Sequence, residues 1–235
     1  MRQIITFILL LSFSFVNGQD KIEGIGKFKL NKLTYLQLDS LAQEWQYGRD
    51  ATRKFSEYSS YAGQKNYLIQ LLPDTLKEYG SPPHTHHCKQ TRVFYIPTIK
   101  VSDIELKDLF LTFYNDTLVE LDVEYSSQIV KALSLKYGEP TIEEKEKDIQ
   151  CTLSLTGSSI ALKEKMYYQH WVNNTIRCMA VIGTYYNNDC EKRTLKYINI
   201  FATNIYEELR KCDEEAQGKI INKKDQELKK KLDDF

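Results

Sequence analysis

Pro82-Pro83-His84-Thr85-His86-His87-Cys88 concentrates the chain's metal-ligand chemistry, with three of its four His and one of its five Cys. Imidazole nitrogen and thiolate sulfur are donors that borderline ions such as Zn²⁺ and Cu²⁺ accept. In an extended segment alternate side chains share a side, so His84 and His86 point together, while His87 and Cys88 need a turn to join them. The spacing allows a Zn or Cu site built from His84, His86, His87 and Cys88. No second ligand pair stands at a zinc-like spacing, and His170 is the only other His. The plainer reading is a polar loop leading into a strand, with Cys88 in a disulfide.

Nucleophilic chemistry has less support. Ser158 and Ser159 follow Gly157 without the G-x-S-x-G elbow that exposes a catalytic serine. Cys88 next to His87 is not a dyad by adjacency, because consecutive side chains diverge. Gly24-Ile25-Gly26 lacks the third glycine of a nucleotide loop. A hydrolase would need a site assembled from distant residues. Recognition chemistry is better represented. The chain holds sixteen Tyr. On a hairpin over 167–179, Tyr168, His170, Arg177 and Met179 fall on the face opposite Trp171 and Ile176. Tyr and Arg offer stiff apolar area with a polar tip, which suits an interaction surface.

The elements that position these residues follow from periodicity. Thr34 and Gln37 form a capping box for a helix whose stripe is Tyr35, Leu38, Ala42 and Trp45, with Gly48 as its stop. Residues 49–90 are irregular and Tyr-rich, apart from a strand at Tyr67–Leu72. LFLTFYNDTLVELDVEY is a hairpin with Asn115-Asp116 at its tip. A two-residue turn would pair Phe113 with Leu118; a five-residue loop would pair Phe113 with Val119 and Leu111 with Leu121. Burial favours the second, because it puts six apolar residues on one face. Ser126 or Ser127 caps a helix ending at Gly138, with Ile129, Leu133 and Tyr137 on one side. Strands follow at Gln150–Leu155, Tyr167–Val172, Thr175–Tyr186 and Leu195–Ala202. A C-terminal helix then carries Ile205, Leu209, Cys212 and Ala216 on its stripe.

FYND with TLVELDVEYSSQIVKAL resembles YYNND with TLKYINIFATNIYEELR. The match suggests two related strand–strand–helix units sharing one sheet. The expected class is α+β: an antiparallel sheet with helices mainly on one face. The third strand of the second unit ends level with the start of the one before it. Cys178 lies about 10 Å in along its strand and Cys212 about 12 Å along the returning helix, which makes them neighbours and a candidate disulfide.

Residues 1–18, MRQIITFILLLSFSFVNG, read as a secretory signal peptide with Arg2, a 13-residue apolar run, and small residues before a cut after Gly18. That run spans about 20 Å, short of the hydrocarbon core, so no membrane anchor is expected after cleavage. Export permits disulfides, and an odd Cys count leaves one without an intramolecular partner. The uncleaved chain has 32 basic and 32 acidic residues, and this balance argues against a nucleic-acid partner. The domain plan is signal 1–18, one domain over 19–212, and a charged helix or tail over 213–235. In the tail Ile221, Leu228, Leu232 and Phe235 keep a thin apolar seam.

With VNGQ after the apolar run, KFKL before the capped helix and LKYGEP at a helix exit, the mature chain resembles an exported bacterial protein and matches no characterised family. That resemblance implies a periplasmic or secreted location and no activity. The leading expectation is a non-catalytic exported protein that binds a protein or small ligand. Its contacts would come from the Tyr-rich segment, the hairpin face or the C-terminal helix. The alternative is a metal-binding protein using the His84–Cys88 cluster.

Overall fold

The computed structural model describes residues 21–42, 51–54, 60–65, 67–72, 86–152, 157–173, 175–187 and 189–233. The proposed signal, His84 and most of the Tyr-rich segment lie outside them. Gly24–Ile25 (β1) and Phe28–Lys29 (β2) form a small hairpin. Tyr35–Ala42 (α1) follows, begun by the expected capping box: Thr34 N–H donates to Gln37 Oε1 at 2.9 Å, and Gln37 N–H to Thr34 Oγ1 at 3.3 Å.

Nine strands make one sheet. They are Ala51–Lys54 (β3), Ile69–Leu72 (β4), Thr91–Val101 (β5), Ile104–Tyr114 (β6), Thr117–Glu124 (β7), Thr141–Thr152 (β8), Ser159–Val172 (β9), Ile176–Tyr186 (β10) and Lys192–Ala202 (β11). Their order is β3-β4-β5-β6-β7-β11-β10-β9-β8, antiparallel throughout except for the β3–β4 pair. Ser127–Tyr137 (α2) joins β7 to β8, and the 31-residue helix Thr203–Asp233 (α3) follows β11. The fold is strand-dominated, mostly antiparallel sheet with three helices among the described residues.

One sheet face carries the main core. Phe94, Leu111, Leu121, Ile200, Cys178 and Trp171 pack there with Leu38 of α1 and with Ile129, Leu133 and Tyr137 of α2. Trp171 Nε1 donates to Gly138 O at 2.7 Å, which fixes the end of α2 to β9. Gly138 itself has φ 87°, a conformation a side chain would strain. α3 lies on the other face: Tyr206 packs on Phe201 with ring centroids 4.9 Å apart. The expectation of helices mainly on one face therefore holds for α1 and α2 and fails for α3. A duplicated unit placed by a two-fold axis normal to the sheet would keep its helix on the same face, and α2 and α3 do not.

The β6–β7 hairpin combines the two-residue-turn register with that of the five-residue loop. Asn115 and Asp116 have φ 47° and 62°, as a type I′ turn requires, and Phe113 pairs with Leu118. A bulge after Thr112 then shifts the ladder, so that Leu111 meets Leu121. The tight turn and the apolar face are both kept at the cost of one irregularity.

Gly183 on β10 faces Met166 on β9. A Cβ there would come 1.9 Å from Met166 Sδ and 2.8 Å from Lys165 O. The flexible thioether can move; the carbonyl cannot without shifting the strand. Gly183→Ala is expected to lower stability by about 2 kcal/mol in urea unfolding, and an unchanged midpoint would contradict this packing.

Candidate functional site

The ladder aligns residues of one sheet face into a row. Phe110 on β6 pairs with Asp122 on β7, Asp122 with Asn199 on β11, Asn199 with Met179 on β10, Met179 with His170 on β9, and His170 with Thr141 on β8. Side chains alternate along each strand, so the flanking rows share this face. One flanking row holds Glu120, Phe201 and Arg177; the other holds Tyr197, Val181, Tyr168 and Glu143. This is the face opposite the main core, and α3 covers its β7–β11 part.

Under α3 the row is acidic. Glu120 and Asp122 stand two residues apart on β7, both 5% exposed. Asn199 Nδ2 donates to Glu120 Oε1 at 2.9 Å and to Asp122 Oδ1 at 2.7 Å. One amide thus holds two buried carboxylates that would otherwise repel across a low-dielectric gap. His86 extends the cluster, with Nε2 4.0 Å from Glu120 Oε2 and Nδ1 3.8 Å from Asp213 Oδ2 on α3. Asp213 Oδ1 accepts the backbone N–H of His87 and, at 3.1 Å, that of Cys88. Cys88 is bonded to Cys212, with Cα atoms 5.4 Å apart, so the 86–88 segment is fastened to α3 both covalently and by hydrogen bonds.

Tyr206 lies against this cluster. The Glu120 carboxylate first, then burial and Asp122, push its phenol well above the usual 10.0. Burial, with Asp122 and Tyr168, raises Tyr197 in the same direction. Above pH 10 the unfolded chain releases these protons while the folded chain keeps them, so stability falls as pH rises through that range. Tyr206→Phe is expected to flatten the loss of melting temperature between about pH 9 and 11; an unchanged slope would place Tyr206 away from the carboxylates.

Beyond α3 the face is partly exposed: Tyr168 and His170 are half-buried and Glu143 and Thr141 exposed, while Val181 between them stays buried. His170 and Tyr168 stack with centroids 5.9 Å apart at 11°, and Lys145 Nζ sits 5.2 Å over the Tyr168 ring. Glu143 Oε2 is 3.3 Å from His170 Nε2. Hydrogen bonding from Lys145, with His170 behind it, holds the Glu143 carboxyl below its ordinary range. Arg177 is exposed and Met179 half-buried. The four residues expected to share a face, Tyr168, His170, Arg177 and Met179, do share it.

Two other expectations are corrected. Cys178 and Cys212 are not bridged: Cys178 is a buried free thiol, pushed to a high pKa by burial alone. Rise per residue alone puts them level, but Cys178 faces the main core and Cys212 sits on α3 across the sheet. The bridges are Cys88–Cys212 and Cys151–Cys190. The proposed metal set also loses its sulfur, since Cys88 has no thiolate to offer while bridged. His84 lies outside the described residues. Among those residues no group of three or more His, Cys, Asp or Glu is arranged to hold a metal ion.

The acidic cluster escaped sequence reasoning. In LVELDVEY the charges at alternate positions read as the solvent side of a half-buried strand. Asn199, a lone amide inside YINIFA, was the available signal. Two surface clefts of about 440 and 500 Å³ border the β1–β2 hairpin, near Lys29 and Gln37 and near Leu30 and Asn173. Neither is lined by residues of the row. No family model, curated protein or solved structure matches this chain.

Proposed function

We propose that this is an exported, non-catalytic binding protein that meets a partner protein on the uncovered sheet face around Tyr168, His170, Arg177 and Met179. The observation that carries the reading is the unbroken cross-strand row from Asp122 to Thr141, buried at one end and open at the other. Its buried end makes the face rigid, and its open end offers Tyr, Met and Arg, the types enriched in interfaces. The two disulfides fit an oxidising compartment, and no helix among the described residues is long and apolar enough to cross a membrane. With the signal segment, these features support a periplasmic or secreted location in a bacterium. The metal-binding alternative loses its sulfur donor to the Cys88–Cys212 bridge.

The test uses a photo-crosslinking residue at Tyr168 in the exported protein, with the same probe at Lys163 as a control for the opposite face. Partners trapped only from position 168, and lost in Arg177→Glu at unchanged melting temperature, support the reading. Equal trapping from both positions, or trapping indifferent to Arg177→Glu, sinks it.

A further inference from the structure

The second half of α3 is a helix without a visible reason to be one. It continues through Gly218, a residue that disfavours a helix interior by about 1 kcal/mol. From Ile221 to Lys230 every side chain is exposed. An isolated helix of that length is marginal in water, since most helical stability in proteins comes from packing one face. Lys223 and Glu227 are 3.9 Å apart at i,i+4, in the less favourable Lys-to-Glu order.

The exposed surface is patterned. Ile221 is 51% and Leu228 59% exposed, seven residues apart, and therefore on one stripe. Lys224 borders that stripe on one side and Lys229 on the other. Lys223 and Lys230 lie on the back. Over 219–233 the chain has six Lys against Asp225, Glu227 and Asp233.

We propose that these distal turns of α3 are a docking helix for a partner protein that presents an apolar helix with acidic flanks. Charge selects the occupant. In a parallel pair of two copies, Lys224 of one would face Lys229 of the other. An antiparallel pair sets Lys224 against Lys224 or its heptad equivalent. Like charges at flanking positions reject self-pairing and favour a Glu- or Asp-flanked helix. A lipid surface fits less well, with two large exposed apolar side chains described over these turns and three acids interspersed. Asp225 falls on the stripe itself, so the partner's stripe carries a polar or basic residue opposite it, which fixes register. This surface is separate from the sheet face, and either can fail without the other.

The probe is a synthetic helical peptide with Ile/Leu heptads, one Asn on the stripe and Glu on both flanks, set against a twin with Lys on both flanks. Binding to the full chain is read by fluorescence anisotropy. The acidic peptide is expected to bind at least tenfold tighter than its twin. Ile221→Asp with Leu228→Asp should weaken it at least tenfold, and Lys224→Glu with Lys229→Glu should reverse the preference. Far-ultraviolet circular dichroism and the melting temperature of the domain confirm that the variants fold. Equal binding of the twins, or indifference to Ile221→Asp with Leu228→Asp, overturns the proposal. So does a dimer by light scattering that these substitutions dissolve. Binding of the chain to phosphatidylglycerol vesicles through the same residues, without peptide discrimination, overturns it in favour of a membrane.

Discussion

Replacing Cys88 and Cys212 together by Ala is expected to cost about 4–5 kcal/mol of stability, the loop-closure value for a bridge of this span. The two cysteines are 124 residues apart in sequence, against 39 for Cys151 and Cys190. Loop entropy grows only with the logarithm of length, so the second bridge should be worth about 1 kcal/mol less than the first. Placement widens that gap. Cys88–Cys212 ties the start of β5 to α3 beside Asp213, whose carboxylate accepts backbone hydrogen bonds from the same short segment. Losing the bridge loosens Asp213, His86 and the helix that roofs the acidic row. Cys151–Cys190 ties β8 to the β10–β11 turn, away from that row. Urea unfolding of the two double variants under non-reducing conditions decides the matter. A larger loss from Cys151→Ala with Cys190→Ala would mean that the covalent fastening of α3 is not what holds this face together.

Local chemistry was legible in the sequence, and the choice between sheet faces was not. The Thr34–Gln37 box, the Ser126 cap and the Gly138 stop each depend on a few neighbouring residues, and each is present. The β6–β7 hairpin contained two competing signals, a type I′ dipeptide and an apolar face, and the bulge satisfies both. The sequence marks a strand only from Gln150, whereas β8 begins at Thr141. Its TIEEKEKD stretch has no apolar period, because every residue from Thr141 to Asp148 is exposed. Its pairing with β9 is stitched partly by charge, as in Lys163–Glu146 at 3.1 Å. The cysteine pairing failed for a related reason. Rise per residue fixes height along a strand, and it says nothing of which face a following helix crosses. That choice rests on the tertiary burial of Glu120 and Asp122, whose alternate placement in the sequence has the pattern of a solvent side.

The row's buried end should be sensitive to a single charge, and Asn199→Asp is expected to show it. The substitution changes almost no volume but replaces a donor with an acceptor. Three carboxylates would then share the space in which Asn199 Nδ2 now donates to Glu120 at 2.9 Å and Asp122 at 2.7 Å. Breaking such a buried charged network costs about 3–5 kcal/mol at neutral pH. The loss should be strongly pH-dependent, in a direction opposite to ordinary acid denaturation. Neighbouring charges and burial raise the folded-state pKa of at least one of the three acids above its unfolded value near 4. A group raised in this way stabilises fully below its unfolded pKa and loses that contribution as pH rises through its folded pKa. The variant should therefore approach the wild type near about pH 4 and fall furthest behind it near about pH 8. Asn199→Leu separates the two causes: it removes the donor without adding a charge, and should fall between wild type and Asn199→Asp at neutral pH. If Asn199→Asp tracks the wild type across the whole range, the two carboxylates do not depend on Asn199. The rigid end from which the open face of Met179 and His170 extends would then have to be sought elsewhere.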